Sequence, residues 1–288
     1  MKPGGAWLVT GGTGYLGVHV AAALGATVAG RRQGLGLFTP ALAEALAHHH
    51  VIVHLAARVA KAPEAAADCF EVNSDGTRWL CARLTEQHTL LLASTKDVYG
   101  AHADRYAVVP ESCPTTLHGQ NAYAWSKWLA EEYARFYAAQ RGFQLCVLRL
   151  STVFAPPTPG NPGGLVSRFA DAIRHGQPLT LRWRGQQVRD VLPVTELVHV
   201  LRACAALSGT HDTFNDTFNI GGGPAYAFSL VELAQRIGRV CGRSPVLHLT
   251  DAEPPPDDQR RYVSDLSKAG ERLGWAPRFD LDAALKWA

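Results

Sequence analysis

A chain of 288 residues with 47% hydrophobic content is long enough for one large core or two unequal domains, and its near-average composition excludes a disordered chain. The net charge of +3 is small and scattered, with no run of Lys and Arg interleaved with aromatics, which excludes a nucleic-acid surface yet suits an anionic small molecule. No stretch approaches the roughly twenty uninterrupted apolar residues of a membrane span.

In chain order, short apolar runs alternate with helical segments. Ala6 to Val9, Val51 to Leu55 and Leu90 to Ala93 read as strands of a parallel sheet covered by helices on both faces. The glycine cluster begins at Gly11, leaving no room for the apolar core of a signal peptide. In Gly11-Gly12-Thr13-Gly14-Tyr15-Leu16-Gly17, Gly11 permits a tight turn, Gly14 lets the backbone approach a pyrophosphate, and Gly17 lets the next helix pack closely. A short helix from Val18 to Leu24 and a strand Thr27 to Ala29 then lead to Gly30-Arg31-Arg32. A ribose 2′-hydroxyl is met there by a carboxylate and a 2′-phosphate by a cation, so Arg31 and Arg32 favour NADP(H), with NAD(H) the alternative. His48-His49-His50 at a helix end reads as solvated surface rather than a metal site.

Further on, a helix over Ala122 to Gln140 and a strand Leu145 to Leu150 complete the first half. Ala155 to Gly164 reads as a Pro/Gly-rich loop and Pro254-Pro255-Pro256 as a stiff connector. The expected fold is α/β: a Rossmann doubly wound parallel sheet over residues 1–150, rejoined by 186–222. A smaller substrate-binding domain is built from 151–185 and 223–288 and closes over the carboxyl edge of the sheet. The six cysteines stand far apart, as expected of buried thiols in a reducing compartment, so a cytoplasmic protein without a metal site is expected.

Tyr123 and Lys127 stand four residues apart in the predicted helix, placing a phenol and an ammonium on one face a turn apart. A nearby cation stabilises a phenolate, which makes Tyr123 a candidate base and Lys127 its activator and a donor to the nicotinamide ribose. Ser94-Thr95-Lys96-Asp97-Val98-Tyr99-Gly100 ends an apolar strand, where a hydroxyl can hold the substrate oxygen.

Together with His54-Leu55-Ala56-Ala57, Asn73, Arg149 to Pro156, Val188-Arg189-Asp190, Phe218 to Gly221 and Asp265 to Ala269, these stretches resemble the extended short-chain dehydrogenase/reductases. Within them they resemble the NAD-dependent epimerase/dehydratase family, which works mainly on nucleotide sugars. The resemblance implies an epimerase or reductase acting on a secondary hydroxyl or ketone, most simply a 4-epimerase or 4-ketoreductase. It implies a homodimer through the helix of Tyr123. It makes Thr95 the third catalytic residue and lines the cofactor with Gly11, Thr13, Gly14, Tyr15, Leu16, Leu55, Ala56, Ala57, Asn73, Ser94, Leu150 and Val153. Arg189 and one of Arg260 or Arg261 are implied to hold a substrate diphosphate.

Four departures stand out: Leu37 where an adenine-contacting acid is expected, Thr152 in place of Asn, Pro254 to Pro256 in place of a phosphate-binding arginine, and Lys96-Asp97 ahead of Tyr99. Asp97 is placed to remove a proton beside a ketone. Lys96 is placed to protonate a leaving hydroxyl or bind an anion, with strand capping the alternative for both. A dehydratase using Asp97, or a cofactor-binding regulatory protein without activity, are the competing readings.

Overall fold

A computed structural model describes residues 7–161, 163–208 and 215–288. The first six residues, where no leader is expected, lie outside them, as does Pro162 of the loop read over Ala155 to Gly164.

The large sheet begins with β1 (Trp7–Thr10), β2 (Thr27–Ala29), β3 (Val51–His54), β4 (Thr89–Thr95) and β5 (Gln144–Leu150). An excursion through β6 (Thr152–Phe154), β7 (Leu179–Leu181) and β8 (Val188–Pro193) follows, before β9 (Asp216–Ile220) returns to the sheet edge. The order is β2-β1-β3-β4-β5-β9, with every neighbouring pair parallel. Strand side chains alternate between faces, so each strand feeds two cores. Leu8, Ile52, Leu90 and Leu145 enter one; Val9, Val53, Leu91 and Leu148 enter the other.

Helix α1 (Gly17–Leu24) supplies the second of these cores, and α2 (Pro40–Leu46) the first. A broken helix follows as α3 (Ala66–Cys69), a π-helical stretch Phe70–Asp75, and α4 (Gly76–Cys81). Next comes α5 (Ala122–Arg141), which starts at Asn121, whose side chain accepts from the Ala124 amide, and stops at Gly142, whose φ of 75° an L side chain resists. The segment between Arg32 and Val51 holds only a short turn and α2, so the sheet ends at β2 on that side.

A third core gathers around α6 (Leu165–Arg174), together with α8 (Leu230–Cys241) and α10 (Leu281–Leu285). Its small sheets are β10 (Ala227–Ser229) and β12 (Arg261–Tyr262) on either side of β8, with β6 also on β8, and β11 (Leu247–Leu249) on β7. Within residues 186–222, α7 (Val194–Ala206) packs on the large sheet and β9 joins it, whereas β8 pairs in the small one. Helix α9 (Ser267–Leu273) adds Ala269 to the core beneath α7.

The chain crosses the sheet between β2 and β3, with β1 in the middle. The loops after β1 and β3 therefore meet at the switch point where dinucleotides bind in open α/β sheets.

Candidate active site

The glycine turn after β1 is dictated by crowding. Gly11 has φ 68°, and a Cβ there would lie 2.6 Å from the Ala56 Cα; one on Gly17 would lie 2.1 Å from the Gly11 carbonyl. No side chain caps α1, so its first-turn amides lack a side-chain acceptor, the condition that suits a phosphate. The turn opens on a groove of about 1120 Å³ lined also by Arg31, Arg32, Leu55 to Ala57 and Thr158 to Asn161. Its size, its glycine floor and its uncapped helix fit a nicotinamide dinucleotide. Arg31 and Arg32 are exposed and, among the described residues, neither forms an ion pair. Leu37 lines the groove against Gly76, as does Phe38, held at φ 68°.

Other residues implied by resemblance stand around the groove rather than in its lining. The Tyr15 hydroxyl accepts from the Ala155 amide at 2.7 Å and lies 2.8 Å from Ser167 Oγ. Leu16, Leu150 and Val153 pack in the core beside α1. Asn73 is fully buried, accepting from the Arg58 amide at 2.7 Å and donating to Ser126 Oγ at 2.9 Å, so it ties the loop after β3 to α5.

Strand β4 ends at Thr95, whose Oγ1 accepts from the Asp97 amide at 3.2 Å and whose hydroxyl favours ionisation of the Tyr123 phenol. Burial pushes that phenol well above its ordinary value, Asp97 adds in the same direction, and Thr95 offsets them in part. Lys127 is 2% exposed, and burial pulls its ammonium down to about 8, opposed by Glu131. The phenolate expected from the Tyr–Lys spacing is thus not the resting state. Desolvation of the ring dominates, because spacing along a helix does not report how dry a side chain is.

Around Asp97 gathers a cluster of charges. Lys96 Nζ donates to Asp97 at 2.6 Å and to Gln259 Oε1 at 2.7 Å; Lys61 Nζ lies 3.9 Å from Asp97 and 3.7 Å from Asp258. Arg189 donates to Asp258 at 2.8 Å and to the Gln259 carbonyl at 2.7 Å. Despite the burial that opposes it, these cations hold Asp97 at about 2. Arg260 and Arg261 are not brought into this cluster. The first pairs with Glu253 at 2.8 Å and the second donates to the Ala107 carbonyl at 3.1 Å. Lys61, Asp258, Gln259 and Glu131 were not singled out by the sequence. Only the four-residue spacing of Lys127 and Glu131 gave a usable signal.

Residues 7–221 match the NAD dependent epimerase/dehydratase family, and the chain belongs to it. UDP-glucuronic acid decarboxylase 3 of Arabidopsis thaliana is 30% identical over 68% of this chain and 55% of its own length. The chain thus spans about half the length of such relatives. UDP-glucose 4-epimerase of Thermotoga maritima, solved with UDP-glucose, superposes with a TM-score of 0.80 at 25% identity, covering 98% of this chain and 96% of its own. MoeE5, solved with UDP-glucose and NAD, gives 0.82 at 25% identity over 98% and 97%. These relatives are epimerases and decarboxylases, which does not favour the dehydratase reading. Asp97, held ionised by two lysines, is correspondingly a weak proton acceptor.

Proposed function

We propose that this chain interconverts a secondary alcohol and a ketone on a nucleotide sugar, as a 4-epimerase or 4-ketoreductase. The observation that carries the reading is the gathering of Thr95 at the end of β4 with Tyr123 and Lys127, one turn apart on α5, beside a groove that fits a dinucleotide. When bound there, a nicotinamide supplies a hydride acceptor or donor. Tyr123 exchanges the proton of the reacting oxygen, Thr95 holds that oxygen, and the Lys127 ammonium stabilises the phenolate formed in the oxidising direction. Return of hydride to the opposite face inverts the carbon.

Two observations favour the reductive direction. The neutral resting phenol is the form that protonates a ketone oxygen. Arg31 and Arg32 stand exposed and, among the described residues, without an ion pair, where they could meet a 2′-phosphate, which supports NADP(H) over NAD(H).

Arg189, Lys61 and Lys96 supply the positive charge for an anionic substrate. Half-exposed Phe136 on α5 supports a homodimer through that helix, and the free cysteines support a cytoplasmic protein. The division into a dinucleotide-binding part and a smaller substrate-binding part around α6 and α8 belongs to the same reading.

Tyr123→Phe tests it. Hydride exchange between UDP-glucose or its 4-keto form and the nicotinamide, followed by absorbance, should fall roughly 10²- to 10⁴-fold with cofactor binding retained. Unchanged turnover would remove Tyr123 from the chemistry.

A further inference from the structure

Glu131 is an expensive residue to bury. It is fully enclosed, and every partner it has is a donor: Arg149 Nε at 3.0 Å and Nη2 at 2.7 Å, Arg135 Nη2 at 2.9 Å, and Ser94 Oγ at 2.5 Å. A buried ion pair adds little stability over apolar side chains of the same volume. Its placement is what is unusual. Tyr123, Lys127 and Glu131 follow one another at four-residue spacing on α5, and Ser94 immediately precedes Thr95 on β4. One carboxylate therefore ties the strand that carries Thr95 to the helix that carries Tyr123 and Lys127, and to Arg149 on β5.

We propose that Glu131 is a positioning residue: through its clasp on Ser94 and Arg149 it holds the end of β4 that carries Thr95 against the turns of α5 that carry Tyr123 and Lys127. The same carboxylate opposes the burial that pulls the Lys127 ammonium down, which gives the clasp a readout. The proposal rests on the reading of Lys127 given above. Among the described residues, Glu131 is the carboxylate that acts on Lys127, and the other charges nearby are engaged elsewhere. On β3, His54 is held neutral, pulled down to about 3 by burial and then by Lys127 itself, while bonded to Thr10 and Thr77. After β4, Asp97 is taken up by Lys96 and Lys61. From α3 only the Cys69 thiol approaches Tyr123, and Arg149 on β5 and Arg135 on α5 are cations.

The test is NADPH binding, followed by nicotinamide fluorescence between pH 6.5 and 10, which needs no sugar substrate. In the parent protein, affinity falls as the pH rises through the Lys127 value of about 8. Glu131→Gln should move that fall lower by on the order of one pH unit, leaving affinity at pH 6.5 within about twofold. Because this variant strands Arg149, the double variant Glu131→Gln, Arg149→Met is measured beside it and should show the same displacement. A fall that stays at the parental pH in both overturns the proposal. Lys127→Met should abolish the fall; its persistence there would overturn both the proposal and the role of Lys127. Loss of turnover in Tyr123→Phe together with an unmoved fall in Glu131→Gln would sink the positioning role alone.

Discussion

The dinucleotide groove and the charged cluster beside Tyr123 are built on opposite principles. The floor of the groove is a run of consecutive residues, and its demands are on backbone: Gly11 and Gly17 are there because a Cβ would strike Ala56 or the Gly11 carbonyl. Its arginines are exposed and, among the described residues, form no ion pair. The cluster takes Lys61, Lys96, Asp97, Arg189 and Asp258 from four distant parts of the chain and pairs each charge with another. One site is ready for a ligand's charge; in the other, an incoming anion competes with carboxylates already present.

The sharpest way to break the contrast is Gly17→Ala. The added methyl, 2.1 Å from the Gly11 carbonyl, should cost about 3 kcal/mol and abolish saturable NADPH binding, read by thermal unfolding and fluorescence titration. Normal binding would mean the turn is not held by close packing. Replacing Arg31 and Arg32 with Ser should raise the NADPH dissociation constant roughly 10- to 100-fold while changing that for NADH less than about threefold. Equal effects on the two would show that these side chains do not read a 2′-phosphate.

The smallest effect belongs to the cluster. Asp97, held at about 2 against an ordinary 3.8, contributes stability that is present above pH 4 and lost as the pH falls through 2. That contribution is about 2 kcal/mol. Asp97→Asn should flatten the dependence of the urea midpoint on pH over this range; an unchanged slope would show that the carboxyl is not held ionised.

What the sequence made legible follows the same division. Strands, the glycine turn and the α5 boundaries are local patterns, and the structure places them where spacing and apolar runs put them; Tyr123 and Lys127 fall on α5, and Thr95 ends β4. The cluster around Asp97 was hidden because Lys61 meets Asp97, and Asp258 meets Lys61 and Arg189, only through folding. The Glu131–Arg149 pair was hidden because helical spacing shows a neighbour but not its burial. The resting phenol was misread for that reason too, since desolvation is a property of the surroundings and not of the spacing. β8 was grouped with residues returning to the large sheet, whereas its hydrogen bonds go to β6, β10 and β12. Nothing in a short apolar run says which sheet will take it.

One oxygen atom has a mechanical meaning. The Tyr15 hydroxyl, on the glycine turn itself, is fastened to the amide and carbonyl of Ala155, while His19 reaches the Pro156 carbonyl at 3.0 Å and Asn161 the Thr13 carbonyl at 3.4 Å. The far wall of the groove therefore hangs from its floor by three rivets. Neither side can shift without straining these bonds, so the glycine turn and the segment leading into α6 are held as one piece.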